Sequence, residues 1–179
     1  MPKTYTALTV ANATAGNAIL ASDFSSLFTN SNNYRVPPSC HVYRTSDLTG
    51  YTDGTAITWQ AEAHDTDDMW ASGTNVTIQT AGIYLCVFKV QTAASGTAMT
   101  YAAPQLLVNG TAALQLYNAS VFSGIVSQGL VTYVASFAAA TTIAANVLVA
   151  GATNYTIKGG TLHTTSASSL SVTWLGQAS

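Results

Sequence analysis

From about residue 39 to the end of the chain the sequence predicts an all-β domain, a sandwich or barrel of short antiparallel strands. Three observations predict it. Apolar residues recur at every second position in short runs, as in Tyr84, Cys86, Phe88 and Val90. Turn-forming sequences such as Ala81-Gly82 and Asn109-Gly110 separate those runs at the spacing of a sheet protein. A helical apolar stripe occurs once, and it lies before residue 38.

That stripe is Leu20, Phe24, Leu27 and Phe28, an i, i+4, i+7, i+8 pattern on one helical face. Thr14 is placed to cap its beginning, and Asn30-Ser31-Asn32-Asn33 ends the pattern. Pro37-Pro38 then forces an extended segment. Residues 1–38 therefore read as an arm with one short amphipathic helix and a stiff linker, and residues 39–179 as the strand domain. A lone helix of about 15 residues is marginal in water, so it must dock. It packs either on its own domain or, as an anchor, on a partner.

The strands follow in order. Cys40–Thr45 is the first and Ala56–Ala63 the second, and Val76 and Ile78 flank Thr77 in a third. Ile83–Gln91 is the strongest, with Ile83, Leu85 and Val87 apolar on the face opposite Tyr84 and Phe88. Gln105–Val108 runs into Asn109-Gly110, the strongest short hairpin signal, and Thr111–Tyr117 returns from it. Leu130–Phe137, Ile143–Ala150, Tyr155–Leu162 and Leu170–Leu175 complete the set. Gly159-Gly160 fits a bulge or bend. Strands with two apolar faces, Ile83–Val90 and Leu130–Phe137, imply that part of the sandwich's outer surface is covered, and self-association is the economical cover.

Charge points the same way. Only 12 of 179 residues are charged, 7% of the chain, and Lys158 is the only one after Lys89. Interface centres are depleted in charge. With 48% hydrophobic residues the chain is not of disordered type. No apolar run reaches membrane-spanning length, and no basic stripe offers a nucleic-acid footprint. Residues 1–5 lead into polar sequence with no secretory h-region. Asn12, Asn75, Asn109, Asn118 and Asn154 head Asn-x-Ser/Thr triplets, but Ser and Thr make up 44 residues, so these read as polar strand and turn chemistry. Cys40 and Cys86 lie in apolar runs 46 positions apart; they read as two free thiols, with one disulfide as the alternative.

Catalytic constellations are scarce. His41, His64 and His163 lack metal-site spacing, there is no GxSxG elbow or phosphate loop, and no Asp or Glu follows Asp68. No cofactor is implied. Asp65, Asp67 and Asp68 offer oxygen ligands for calcium, against the plainer reading of a polar turn. As a carbohydrate-binding module the chain would stack Tyr51, Trp59, Trp70 or Tyr117 on a host cell-surface glycan, against the commoner reading of sandwich aromatics as core.

Two stretches carry a resemblance. Ala63-His64-Asp65-Thr66-Asp67-Asp68-Met69-Trp70, Asn75-Val76-Thr77-Ile78 and Ala81-Gly82-Ile83-Tyr84-Leu85 resemble the complement C1q/tumour-necrosis-factor-like jelly roll. Leu107-Val108-Asn109-Gly110 is similar to its hairpin, and Ser171-Val172-Thr173-Trp174-Leu175-Gly176 to its closing strand. The likeness covers about residues 40 to 176. Ala138-Ala139-Ala140-Thr141-Thr142 stands where that family has a glycine-aspartate turn. Thr9 to Phe28, followed by Tyr34-Arg35-Val36-Pro37-Pro38-Ser39-Cys40, is similar to structural proteins of tailed bacteriophages that carry such domains.

The resemblance implies a ten-stranded antiparallel jelly roll and a compact homotrimer, with Ile83, Leu85, Val87, Leu130 and Val134 at the trimer interface. It implies a non-enzymatic virion protein, assembled in the host bacterial cytoplasm and joined to other virion proteins through Leu20, Phe24, Leu27 and Phe28. The position is the tail or tail tip, touching the host surface, with capsid decoration or a head fibre as the alternative. It also puts the first strand and the Tyr84 strand on either side of the last, so that Cys40 and Cys86 stand roughly 10 Å apart, beyond disulfide reach.

Overall fold

Alternation becomes burial in β1, Ser39–Tyr43: Cys40 and Val42 point inward, while Ser39, His41 and Tyr43 stay half-buried on the other side. The computed structural model describes residue 31 and residues 36–94, 101–115, 126–150, 155–160 and 167–178. Strands β2 to β5 are Leu48–Thr49, Ala61–Asp65, Val76–Thr77 and Gly82–Ala94. Strands β6 to β8 are Tyr101–Val108, Thr111–Gln115 and Val126–Phe137, and β9 to β11 are Thr142–Ala150, Tyr155–Ile157 and Ser169–Gly176. The described residues thus carry eleven strands against the ten expected, two of them, β2 and β4, only two residues long.

The strands make two antiparallel sheets. In the larger, β8 flanks one side of β5; β11 and then β10 share its other side, and β1 and β3 continue beyond β11. The smaller runs β4-β9-β6-β7. Between them lie Tyr84, Phe88, Leu106, Ile143, Leu170 and Val172, each at most 1% exposed. The ring edge of Trp59 meets Phe88 with centroids 6.3 Å apart, an arrangement that adds to burial energy.

The hairpin of β6 and β7 closes at Asn109 and Gly110, with φ of 50° and 76°. Two consecutive positive φ values are what a type I′ turn requires, and Asn-Gly tolerates them. β6 begins four residues earlier than the sequence suggested and contains Pro104. Over 101–104 it has β9 on one side and no ladder to β7, so the missing N–H of proline removes no ladder bond.

The stretch expected as one strand over Ala56–Ala63 divides. Its first part runs beside β9, where Ile57 N donates to the Ala145 carbonyl and Trp59 bridges to Gly73; its second part becomes β3 of the other sheet. The tenth strand stops at Ile157, short of the predicted Leu162, because the chain must cross the β1–β2 loop. A Cβ on Gly159 would lie 2.2 Å from Ser46 backbone atoms, so only glycine fits. Around that crossing Lys158 pairs with Asp47, Gly159 N donates to Asp47 Oδ1, and Gly160 N donates to the Arg44 carbonyl. Burial would raise the Asp47 carboxyl, but Lys158 and the Gly159 N–H outweigh it and hold it below the usual range. Buried Arg44 donates to the Ser46 and Thr58 carbonyls.

Cys40, Val172 and Cys86 lie in one row across β1, β11 and β5, so the thiols are two strands apart, free and buried. The geometry matches the expectation for that pair. Pro37 and Pro38 are docked on the sheet: the Thr66 hydroxyl donates to the Pro37 carbonyl, and Trp174 N to that of Pro38. Leu20, Phe24, Leu27 and Phe28 lie outside the described residues. Among the described residues no helix is long and apolar enough to cross a membrane.

Candidate self-association face

The outer face of the larger sheet follows from strand register. Reading from β8 through β5, β11 and β1 to β3, one row is Thr132, Val87, Ser171, His41 and His64. The next in one direction is Leu130, Lys89, Ser169, Tyr43 and Ala61. In the other it is Val134, Leu85, Thr173 and Ser39, followed by Ser136 and Ile83. The five residues proposed from sequence, Ile83, Leu85, Val87, Leu130 and Val134, therefore share one face of two adjacent strands. Within a single chain Leu130 is 56% and Val134 54% exposed, while Ile83, Leu85 and Val87 are half-buried.

The face is zoned. Aliphatic side chains predominate on β8 and β5, with Thr132, Ser136 and Lys89 among them, hydroxyls occupy β11, and β1 with β3 brings His41 and His64 together, ring centroids 5.9 Å apart. Leu175, the extra residue where the β11 register shifts, extends the aliphatic zone and is 54% exposed. No carboxylate stands in any of these rows. Glu62 and Asp65 register with Val42 and Cys40, whose side chains face the core.

The histidine pair is not legible in the sequence. Each histidine was visible alone, but their adjacency depends on a bulge between His41 and Val42 that sets the register of β1 on β3. Burial, and secondarily the neighbouring His64, hold the His41 imidazole below the ordinary histidine value.

The aspartate loop has a structural occupation. Asp65 Oδ1 accepts from the backbone N–H groups of Asp67 and Met69, and Oδ2 accepts from that of Trp70. One carboxylate thus closes the turn in which Asp68 adopts φ 52°. Asp67 is fully buried and Asp68 exposed. Among the described residues no three His, Cys, Asp or Glu side chains gather as metal ligands. The thiols offer no nucleophile: burial pushes Cys86 up to about 12, and burial together with Asp65 and Glu62 pushes Cys40 higher.

Two of the aromatic candidates for sugar stacking, Tyr51 and Trp59, are internal. Tyr51 is 6% and Trp59 2% exposed, and the Tyr51 hydroxyl accepts from Val147 N and donates to the Thr55 carbonyl. Neither ring is a platform, which corrects that expectation; aromatic residues in a sandwich close its core. Trp70 is partly buried against the core, its indole N–H directed to the Gly73 carbonyl, and Tyr117 and His163 lie outside the described residues.

No protein-family model matches the sequence, and no curated protein matches it. Solved structures do. The globular domain of zebrafish complement 1qA aligns at TM-score 0.58 and 11% identity, over 79% of this chain and 99% of that one. The Eiger TNF of S. frugiperda aligns at 0.62 and 13%, over 79% and 96%. Murine APRIL at pH 5.0 aligns at 0.56 and 16%, over 77% and 98%. Identities this low make the likeness one of fold, and it spans nearly the full length of each of those domains. The described residues form a jelly roll of the C1q/TNF type.

Proposed function

We propose that the chain is a non-enzymatic structural protein of a tailed-bacteriophage virion, whose jelly roll forms a homotrimeric knob through the outer face of the larger sheet. The observation that carries this reading is the aliphatic zone of Leu130, Val134, Leu85, Val87 and Ile83 on the outside of a sheet whose inside is already core. A clustered exposed apolar surface marks an interaction site. Further copies of the chain suit this one, since a face without carboxylates and with one lysine sets little charge against itself.

The non-enzymatic reading is supported by what the carboxylates do. Asp47 pairs with Lys158, Asp53 accepts from Val149 N, and Asp65 closes its turn. The virion context rests on the similarity of residues 9–28 and 34–40 to tailed-phage structural proteins. Residues 1–38 attach the knob to a neighbouring virion protein, and we place it at the tail tip, with a capsid decoration or head fibre as the alternative.

Cryo-electron microscopy of the particle tests the placement. Threefold density of the knob's size at the tail tip is the expected result. Density over the capsomers replaces the tail by the head, and a particle without the chain overturns the virion reading.

A further inference from the structure

We propose that the self-association face is a proton-operated switch, in which the paired imidazoles of His41 and His64 hold the assembly together when neutral and release it when charged. The inference rests on the assembly proposed above and concerns its regulation.

Position comes first. His41 stands in the same row as Val87 and Thr132, between Ser171 of β11 and His64 of β3, so cover over the aliphatic zone reaches along that row toward it. His41 is half-buried before any partner arrives, and the two rings meet edge to face at 73°.

Next come the charged and titratable groups around the pair. On this face β1 supplies Tyr43, β3 supplies His64, and β11 supplies the hydroxyls of Ser169, Ser171 and Thr173. The next strand supplies Lys89, one row away from Val87. Glu62 and Asp65 register with core-facing residues of β1. The face therefore holds one formal charge per chain at neutral pH and three once both imidazoles are protonated, all positive, with no carboxylate in its rows to offset them.

The sign follows. A histidine that must be neutral in the assembly binds its proton only after release, so protons favour the separate chains. An imidazole with the ordinary value near 6.5, kept neutral by contact, weakens association by up to about 30-fold at pH 5. His41 already resists protonation in the single chain, so its share is smaller than that. The copies in an assembly compound the effect.

Analytical ultracentrifugation of the full chain at about pH 7.5 and about pH 5, with tryptophan fluorescence as the fold readout, tests this. The expected result is an assembled species at the higher pH, folded single chains at the lower, and a His41→Gln/His64→Gln variant that stays assembled at both. Between the two pH values the concentration at which half the wild type is dissociated should rise at least about tenfold, and a pH series should put the midpoint of that change within the histidine range. An assembled wild type at both pH values overturns the switch and leaves the assembly intact. A single chain at the higher pH overturns the assembly itself. A variant that dissociates like the wild type, or a wild type that unfolds as it dissociates, removes the role from this pair. If the variant does not fold, a wild-type midpoint outside the histidine range overturns the proposal alone.

Discussion

Replacing Val134 by lysine gives a sharp separation between fold and assembly. In the single chain Val134 is 54% exposed, opposite Leu85 and on the same face as Leu130 of its own strand. A surface substitution of this kind changes folding stability by within about 0.5 kcal/mol. In the assembly the exposed half of the side chain is removed from water. Full burial of a valine is worth roughly 1.5–3 kcal/mol, so the exposed half contributes about 1 kcal/mol per chain. Three chains lose about 3 kcal/mol, a factor of about 100 in the trimer constant, before the added cost of burying three ammonium groups. Sedimentation equilibrium should therefore show Val134→Lys as an 18.5 kDa chain at concentrations where the wild type has about three times that mass. Its melting temperature at matched monomer should be unchanged. A Val134→Lys protein that assembles as tightly as the wild type refutes the assignment of this face.

Other consequences concern the scaffold beneath that face. Phe88→Ala removes a fully buried ring that also meets Trp59, and should cost about 3–5 kcal/mol in denaturant unfolding. Gly159→Ala places a Cβ against the Ser46 backbone; overpacking of this kind costs about 1–3 kcal/mol, and the Lys158–Asp47 pair should separate in a crystal structure of the variant. Cys40 and Cys86 should resist a thiol reagent at mildly alkaline pH and react promptly once the chain is denatured, because burial keeps both as thiols.

Much of the sheet architecture was legible because alternation and turn chemistry are local. Ile83, Leu85 and Val87 opposite Tyr84, Cys86 and Phe88 announce both faces of β5, and Asn109-Gly110 announces its own turn. The five apolar residues of the outer face were legible for the same reason: period two assigns them a side before any partner strand is known. What failed depends on long-range placement. Ile57 and Trp59 alternate like strand residues, yet the first bonds to β9 of one sheet while Ala61 begins a strand of the other. Tyr51 and Trp59 carry no local sign that they are internal. The histidine pair requires a bulge that no residue at His41 or Val42 advertises. Asp65 fits the plainer reading of a polar turn, since three backbone donors meet its oxygens.

Cover of the outer face of the larger sheet by copies of this chain can be read at two valines. Val36 and Val134 are 51% and 54% exposed in the single chain, and so are matched probes. Methyl relaxation by a soluble paramagnetic agent at neutral pH reads their accessibility in the intact protein. The Val134 methyls should be shielded while those of Val36 relax strongly. Equal relaxation at both sites would contradict it.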